Sequence, residues 1–287
     1  MPKDNQIKIK ELETIFLPII LAAFRKIYEH KAVIGILGLD GIRKNQFGET
    51  TLRMDFEAEE IVLESLRKFS IPTLVHSEEH GKVKLNGTPS FLATIDGLDG
   101  SSAYKKNFRQ ARCGTMFSLF SNTKPMYEDS LISISSDFSN GNIYWALKGK
   151  GAFKQIGKEA LPIKTTDKKA LNENTFIYVD EGVEVNKEYF SKRITNFNIH
   201  HALSSAVHWI DLASGKADIV AECTRKGNLE ISCAYRLIRE AGGVIVTMDK
   251  EDIGSKQFLS FGQNEHIPLV GAASKNLALS FLKYIKG

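Results

Sequence analysis

The sequence predicts a mixed α/β protein, and two patterns along the chain support this class. After two amphipathic helical segments, the first half carries short runs of β-forming residues separated by Gly, Asn, Asp and Ser, which is typical of a largely antiparallel sheet. The second half alternates strand-like and helix-like segments, which is the α/β pattern. With 287 residues, 43% of them hydrophobic, the chain can bury a large core as one domain or two packed halves.

The first half opens with two predicted helices, at residues 7–30 and 56–69, in which apolar residues recur at helical spacing. In the second of these helices the acidic residues fall on the opposite, polar face. The segment between them, residues 38–51, is polar and contains glycine, so we expect a mobile loop that leads the chain to Asp55. The predicted strands that follow are TLVHS, FLATID, TMFSLF, SLISISS and NIYWALKG.

The second half begins near a polar, lysine-rich stretch at residues 154–174. We place a junction near its start, which divides the chain into halves at 1–153 and 154–287. A helix is expected where Ser204 or Ser205 supplies an N-cap and Gly215 closes the last turn. The elements around it are a strand in TFIYVDEG, a strand in DIVAE, a helix in LEISCAYRLIREA, strands in GGVIVTM and PLVGAA, and a helix in KNLALSFLKYI.

Composition argues against several classes of protein. The formal charge of +4 comes from 38 basic and 34 acidic residues with no arginine-rich run, so a nucleic acid polymer is not an expected partner. The apolar segment at 15–24 is about half the roughly 20 residues that span a bilayer, so it predicts a core helix and neither a membrane span nor a signal peptide. The three cysteines lack metal-binding spacing, which predicts reduced thiols and a cytoplasmic protein.

The stretch FLATIDGLDGSSAY, residues 91–104, carries the strongest chemical signal. An apolar strand ends in Asp96, Asp99 follows three residues later, and the neighbouring glycines allow a tight backbone path. In a loop after Ile95 the two carboxylates can converge on one cation, while the hydroxyls of Ser101 and Ser102 and the amides after Gly100 face an anion. A phosphate-binding P-loop is absent, and an EF-hand spaces its acids differently. Taken alone, however, an Asp-Gly turn after a strand is also ordinary turn chemistry.

A second pair of acids sharpens this interpretation. HSEEHG places Glu78 and Glu79 at the end of another short apolar run, again before a glycine. Adjacent strand ends bring such side chains together, and Mg²⁺ is bound by a few carboxylates together with waters and phosphate oxygens. By itself the same segment also fits a solvated turn.

The set of motifs resembles the inositol monophosphatase family, whose members are lithium-sensitive, magnesium-dependent phosphatases that include fructose-1,6-bisphosphatases. TIDGLDGSSAY is similar to the family signature DPxDGTxNF. Five further segments resemble family elements in the family's order, between about residue 50 and residue 243: TTLRMD, HSEEHG, ALKGKGAF, LSSAVHWIDLASGKAD and LEISCAYRLIREAGG. The resemblance implies a five-layer αβαβα sandwich, two or three Mg²⁺ ions and a homodimer. The first half would carry the metal-binding loops, and the second would complete the site.

The resemblance also assigns roles to residues of this chain. The implied metal ligands are Glu78, Asp96, the carbonyl of Leu98, Asp99 and Glu230. The residues implied to bind or orient the attacking water are Asp55, Glu78 and Ser101. The residues implied to contact the substrate are Asp99, Gly100, Ser101, Ser102, Glu222 and Arg225.

The chain also departs from the family pattern. Ala93, Gly97 and Ala103 stand where the family often has Trp, Pro and Asn, which predicts a looser signature loop. Leu229 and Glu230 replace the family's Trp-Asp pair, but the fructose-bisphosphatase branch has a Glu at the second position. Glu230 therefore either binds a metal or only complements a helix dipole.

Substrate recognition is less clearly encoded. Glu222 lies near the family position that bonds a substrate hydroxyl. Arg225 or Lys226 is placed to receive a second phosphate or a sugar oxygen, although both also fit solvated surface charges. His200 and His201 are expected to be surface histidines.

Three hypotheses about function follow. The leading one is Mg²⁺-dependent hydrolysis of a small phosphate monoester such as inositol 1-phosphate or fructose 1,6-bisphosphate. An alternative keeps the fold and takes a nucleotide of the 3'-phosphoadenosine 5'-phosphate type. A third is a non-catalytic, metal-binding relative that acts as a scaffold, although the retention of five clustered acids argues against it because clustered charge is costly.

Overall fold

The computed structural model describes residues 9–225 and 227–287, and its elements are those of a mixed α/β protein. The helices are α1 (Ile9–Glu11), α2 (Leu17–Ile34), α3 (Arg53–Lys68), α4 (Ser101–Lys106), α5 (Glu184–Asn186), α6 (Ser205–Ala213), α7 (Leu229–Glu240) and α8 (Lys275–Lys286). The strands of the first half are β1 (Gly41–Lys44), β2 (Thr50–Leu52), β3 (Thr73–Ser77), β4 (Gly81–Leu85), β5 (Phe91–Asp99), β6 (Gly114–Phe120), β7 (Ser130–Asp137), β8 (Asn142–Leu147), β9 (Gly151–Ile156) and β10 (Glu159–Ile163). Those of the second half are β11 (Ile177–Val179), β12 (Ile199–His200), β13 (Ile219–Cys223), β14 (Val244–Thr247) and β15 (Pro268–Ala272).

Two large sheets organise the fold. The first has eight strands in the order β10-β9-β8-β7-β6-β5-β3-β4, and its pairs are antiparallel except for β3 with β5. The second has five strands in the order β12-β11-β13-β15-β14 and mixes parallel and antiparallel pairs. The parallel β3–β5 pair matters for function, because it ends the two acid-bearing strands at the same edge of the sheet.

Helices cover and separate the sheets. α2 and α3 pack together, and α3 packs on β5 of the first sheet. α6 and α7 contact strands of both sheets and so form the central layer, while α8 packs on β14 and β15. The result is the expected five-layer αβαβα sandwich, with one hydrophobic core on each side of the eight-stranded sheet.

Local signals explain where the main helices begin and end. α6 begins after Ser204, whose hydroxyl accepts the amide of Val207 as an N-cap. The helix ends at Ala213, and Gly215 then takes a left-handed φ of 73°. The predicted helix at 7–30 is found as α1, a π-helical segment at 12–16 and α2, except that residues 7 and 8 lie outside the described part of the chain.

The segment expected to be a loop between the first two helices is instead a β-hairpin of β1 and β2. Its turn is built by Asn45, whose side-chain oxygen accepts the amides of Phe47 and Glu49, each at 3.0 Å. The hairpin delivers the chain directly into α3, where Asp55 lies in the first turn. The expectation of an unpaired loop was therefore wrong, because a side chain supplies the turn that allows the two strands to pair.

The predicted junction at 153/154 falls inside β9, and the first sheet continues through β10 to Ile163. The second sheet begins at β11.

In the described part of the chain, no helix combines the length and apolar character needed to cross a membrane. The three cysteines are buried and not paired in disulfides.

Candidate active site

The signature stretch is not a loop after Ile95, as the sequence predicted, but a strand that continues to Asp99. β5 is buried along its whole length and pairs with β6 on one side and β3 on the other. Its register against β6 shifts between Asp96 and Asp99, which is the mark of a β-bulge. Bulges re-aim side chains without ending the strand. The bulge therefore places the two acids at one sheet edge while the strand keeps its backbone partners.

Gly97, between these acids, lies where α3 approaches β5 most closely. A Cβ at this position would lie 2.3 Å from the carbonyl oxygen of Asp55 and 2.8 Å from Cγ of Glu59. The carbonyl of Gly97 also accepts the hydroxyl of Thr115 at 2.8 Å. Glycine therefore makes this segment tight rather than loose, contrary to the expectation from its replacement of proline.

Gly97→Ala is expected to lower the free energy of unfolding by about 1–3 kcal/mol, because the added methyl group forces α3 away from β5. Chemical denaturation of the metal-free protein measures this change. A variant as stable as the parent protein would contradict the close approach described here.

The five acids that the sequence predicted for the site converge at the edge of the first sheet. One carboxylate oxygen from each of Asp96, Asp99 and Glu230 lies within 4.8 Å of the other two. Asp55 and Glu78 line the same cavity of about 100 Å³. Oδ1 of Asp55 is buried and has no hydrogen-bond partner among the described residues. Hard oxygen donors around a small cavity, one of them unsatisfied, fit a divalent cation such as Mg²⁺.

The electrostatics of the acidic cavity also favour a bound cation. Burial, followed by the negative charge of Glu78, raises the pKa of Asp55 and of Asp96 well above the usual value. Burial also raises the pKa of Asp99 to about 6, although the charge of Arg225 opposes this shift. The metal-free cavity therefore favours bound protons, and a bound cation would favour the carboxylate forms instead.

The second half of the chain holds Asp99 in place. Oδ2 of Asp99 accepts the hydroxyl of Ser204 at 2.5 Å and the amide of Ala206 at 2.7 Å, both at the start of α6. Gly100 has a φ of 86°, and a Cβ there would lie 2.6 Å from Cβ of Ser204. The turn after Asp99 thus requires glycine both for its backbone conformation and for its contact with α6.

Glu230 reaches the cavity from the first turn of α7. The preceding Asn228 takes a left-handed φ of 47°, and its side-chain amide donates to Tyr127 and to the carbonyl of Phe261 at 2.5 and 3.1 Å. These bonds fix the start of the helix. Oε1 of Glu230 also lies 3.6 Å from a guanidinium nitrogen of Arg225.

A second cavity of about 120 Å³ adjoins the acidic one. Gly100, Ser101 and Arg225 line both cavities, whereas Ser102 and Asp180 line only the second. Arg225 forms an ion pair with Asp180, and Asp180 also lies 3.3 Å from His201. The second cavity thus offers an anion-binding guanidinium beside a hydrogen-bond acceptor.

Glu222 lines neither cavity. It is 2% exposed on β13, and its carboxylate accepts the hydroxyl of Ser205 at 2.8 Å and the indole N–H of Trp209 at 3.0 Å. Burial raises its pKa to about 8. This arrangement places Glu222 in the core, outside the lining of both cavities.

Other predicted residues vary in their placement. Leu98 lines the acidic cavity. His200 stacks on Phe176 with ring centroids 3.7 Å apart, so it is more than a solvated surface residue. Lys226 lies outside the described residues.

Sequence reasoning missed four polar residues that line the two cavities, Asn45, Glu49, Thr50 and Asp180, and it named Glu79 without giving it a role in the site. Glu79 accepts the hydroxyl of Thr51, which ties the β1–β2 hairpin to the strand edge. Asp180 follows a strand and precedes Gly182, which is the signal that drew attention to Asp96. The hairpin residues carried no comparable signal.

Comparisons with known proteins identify relatives of this chain. A bifunctional NADP phosphatase/NAD kinase of Methanocaldococcus jannaschii is 24% identical over 239 residues, covering 74% of this chain and 41% of that protein. A fructose-1,6-bisphosphatase/inositol-1-monophosphatase of Methanothermobacter thermautotrophicus is 24% identical over 213 residues, covering 71% and 73% respectively. The chain thus spans about two fifths of the bifunctional relative.

Solved structures agree on the fold. An inositol monophosphatase of Thermotoga maritima superimposes with a TM-score of 0.71 at 16% identity, covering 94% of this chain and 96% of that one. A fructose-1,6-bisphosphatase of Leishmania major gives a TM-score of 0.72 at 14% identity, covering 98% and 96%.

The class of protein that emerges is a five-layer αβαβα sandwich with an acidic cavity at the strand ends. The model of the inositol monophosphatase family matches residues 9–279, nearly the whole chain. The protein belongs to this family.

Proposed function

We propose that this chain hydrolyses a small phosphate monoester with the help of two or three Mg²⁺ ions held in the acidic cavity. The observation that carries the proposal is the approach of Asp96, Asp99 and Glu230 carboxylate oxygens to within 4.8 Å of one another. Clustered buried carboxylates repel one another, and a divalent cation offsets that repulsion. Membership of the inositol monophosphatase family supports the reaction class.

The proposed roles follow from where each group lies. Glu78, Asp96, Asp99, Glu230 and the Leu98 carbonyl would hold the ions. When bound, Mg²⁺ neutralises phosphate charge and lowers the pKa of a water. Asp55 and Glu78 would accept hydrogen bonds from the attacking water, and this role is supported by Oδ1 of Asp55, which has no hydrogen-bond partner among the described residues. The Ser101 hydroxyl would orient the same water, while Gly100 and Ser102 border the phosphate.

The second cavity would receive the leaving group. Asp180 would accept a hydrogen bond from a substrate hydroxyl, and Arg225 would donate hydrogen bonds to an anionic or hydroxyl oxygen of the substrate. Inositol 1-phosphate and fructose 1,6-bisphosphate are therefore the leading substrates, and Glu222 is not proposed as a contact.

The test is phosphate release from a panel of monoesters, with Mg²⁺, with a chelator, and with added Li⁺. The panel contains inositol 1-phosphate, fructose 1,6-bisphosphate, NADP and 3'-phosphoadenosine 5'-phosphate. We expect Mg²⁺-dependent, Li⁺-inhibited release from the first two. Preference for either nucleotide would favour the nucleotidase alternative. Absence of release from all four, with Mg²⁺ still bound, would favour the non-catalytic alternative.

The resemblance also leads us to propose a cytoplasmic homodimer. Light scattering on the purified protein tests the oligomeric state. A monomer at working concentration would contradict that part of the proposal.

Ser101→Ala is expected to lower kcat by about tenfold or more with a smaller change in KM, because its hydroxyl acts mainly in the transition state. Steady-state kinetics with inositol 1-phosphate and fructose 1,6-bisphosphate measure both constants. Ser102→Ala is the matched control, since Ser102 lines only the second cavity and should change KM more than kcat. A Ser101→Ala effect confined to KM would make Ser101 a phosphate anchor instead.

A further inference from the structure

Glu59, outside both cavities, is a buried carboxylate without a role in the reaction proposed above. It lies one turn after Asp55 on α3, and its side chain has no exposed surface. It does not line the acidic cavity. A fully buried charge is costly unless hydrogen-bond donors surround it, so its partners indicate what it does.

Those partners are the last residue of β3 and the three residues of the turn that follows it. Oε1 of Glu59 accepts the backbone amide of Glu78 at 3.1 Å. Oε2 accepts the amide of Glu79 at 3.3 Å, the hydroxyl of Ser77, and a ring nitrogen of His80 at 2.8 Å. The Glu59 carboxylate therefore binds all four residues from 77 to 80. One of them is Glu78, whose side chain is a proposed metal ligand.

Two further contacts hold this arrangement rigid. The ring of His80 stacks on Phe56 of α3, with centroids 4.3 Å apart. The amide of Glu78 also donates to the carbonyl of Ile95 on β5 at 3.2 Å. The turn is thus tied to α3 through Glu59 and to the strand that carries Asp96.

We infer that Glu59 is a positioning residue: it fixes the turn at 77–80 so that the Glu78 carboxylate is held in the acidic cavity in the orientation that binds the metal. Its negative charge adds to the potential that attracts the cation without taking a coordination position. Groups that orient a ligand from outside the coordination sphere typically change metal affinity or activity by about 10- to 100-fold when removed. The inference rests on the proposed function, because it assumes that the cavity holds Mg²⁺.

Calorimetric titration of the metal-free protein with Mg²⁺ tests the inference without reference to turnover. Glu59→Ala removes every acceptor and is expected to weaken Mg²⁺ binding by about 10- to 100-fold. Glu59→Gln keeps one oxygen for the backbone amides, so its loss should be smaller but still measurable. Hydrogen exchange of the amides at 78 and 79 should be faster in Glu59→Ala than in the parent protein.

Glu60→Gln is the matched control. Glu60 is the next residue on α3, is 35% exposed, and lies 2.8 Å from the other ring nitrogen of His80. Among the described residues, Glu60 makes no hydrogen bond to the backbone of the turn. The Mg²⁺ affinity of the Glu60→Gln variant should therefore stay within about twofold of the parent value.

The possible results separate the inference from the proposed function. If the parent protein fails to bind Mg²⁺, the proposed function is wrong. If the parent binds Mg²⁺ and Glu59→Ala and Glu59→Gln bind it equally well, the positioning role is wrong. Should Glu59→Ala fail to fold, Glu59→Gln decides alone: weaker Mg²⁺ binding supports the inference, and unchanged binding overturns it.

Discussion

Asp96→Asn is expected to reduce phosphate release by on the order of a hundredfold or more while the protein folds normally. Loss of a charged ligand removes several kcal/mol of transition-state charge stabilisation, and each 1.36 kcal/mol corresponds to about tenfold in rate. The fold should survive, because the asparagine oxygen can still accept the amide of Leu98, which Asp96 accepts at 2.9 Å. Steady-state assays across a range of Mg²⁺ concentrations measure the loss.

The same variant should change how the stability of the metal-free protein depends on pH. The pKa of Asp96 is raised in the folded state, so its contribution to stability is present below the unfolded pKa and is lost as pH rises through the folded pKa. The metal-free parent protein should therefore gain stability on acidification from neutral pH, down to about pH 4. Asp96→Asn should gain less, and its melting temperature at neutral pH should equal or exceed that of the parent.

Asp249→Asn controls for the loss of one negative charge, since Asp249 is 87% exposed and does not line the cavity. It should leave turnover and pH dependence unchanged. Full activity of Asp96→Asn at saturating Mg²⁺ would remove Asp96 from the metal site.

Glu230→Gln is expected to cut turnover by orders of magnitude and to raise the Mg²⁺ concentration needed for half activity. The physical reason is that α7 directs this carboxylate to within 4.8 Å of Asp96 and Asp99, where a second ion would stabilise the leaving oxygen. If Glu230 only complemented the helix dipole, the change would cost about 0.3–1 kcal/mol of stability and leave turnover intact.

Glu230→Asp is the sharper variant, because it keeps the charge and shortens the side chain by one methylene. The bonds of Asn228 fix the start of α7, so the helix cannot move to close the gap. Misplacement of about 1 Å can cost on the order of a hundredfold, and we expect partial rescue at high Mg²⁺.

Glu240→Gln is the matched control at the other end of α7. Glu240 accepts the amides of Gly149 and Gly151 at 2.9 and 3.0 Å, so this change should lower stability without altering Mg²⁺ dependence. Unchanged kinetics and metal dependence in both Glu230 variants would exclude this residue from the site.

Local patterns in the sequence were enough to predict the class of fold and most of its elements. The strands that became β3, β5, β6, β7 and β8 were predicted from their short β-forming runs. α3 was predicted from helical periodicity, α6 from its capping residues, and α7 from the alternation of strands and helices in the second half. These signals come from neighbouring residues. The order of the motifs predicted the family, which the match over residues 9–279 confirms.

Contacts between distant segments decided the rest. Gly97 looked like a turn residue, yet β6 and β3 supply partners that keep β5 extended through the bulge to Asp99. Glu222 occupied a plausible position for a substrate contact, but packing of α6 against β13 turns it towards Ser205 and Trp209.

The sequence by itself determined which acids are available, on which strand ends and helices they lie, and what chemistry such residues support. Only the tertiary structure decided which of them meet. Periodicity placed Glu59 on the polar face of a helix, whereas the close approach of α3 to β5 buries Glu59 itself, and its carboxylate binds the turn beside Glu78. Local propensity depends on adjacent residues. The orientation of a buried side chain depends instead on the hydrogen-bond donors and the packing space that other layers of the fold provide around it.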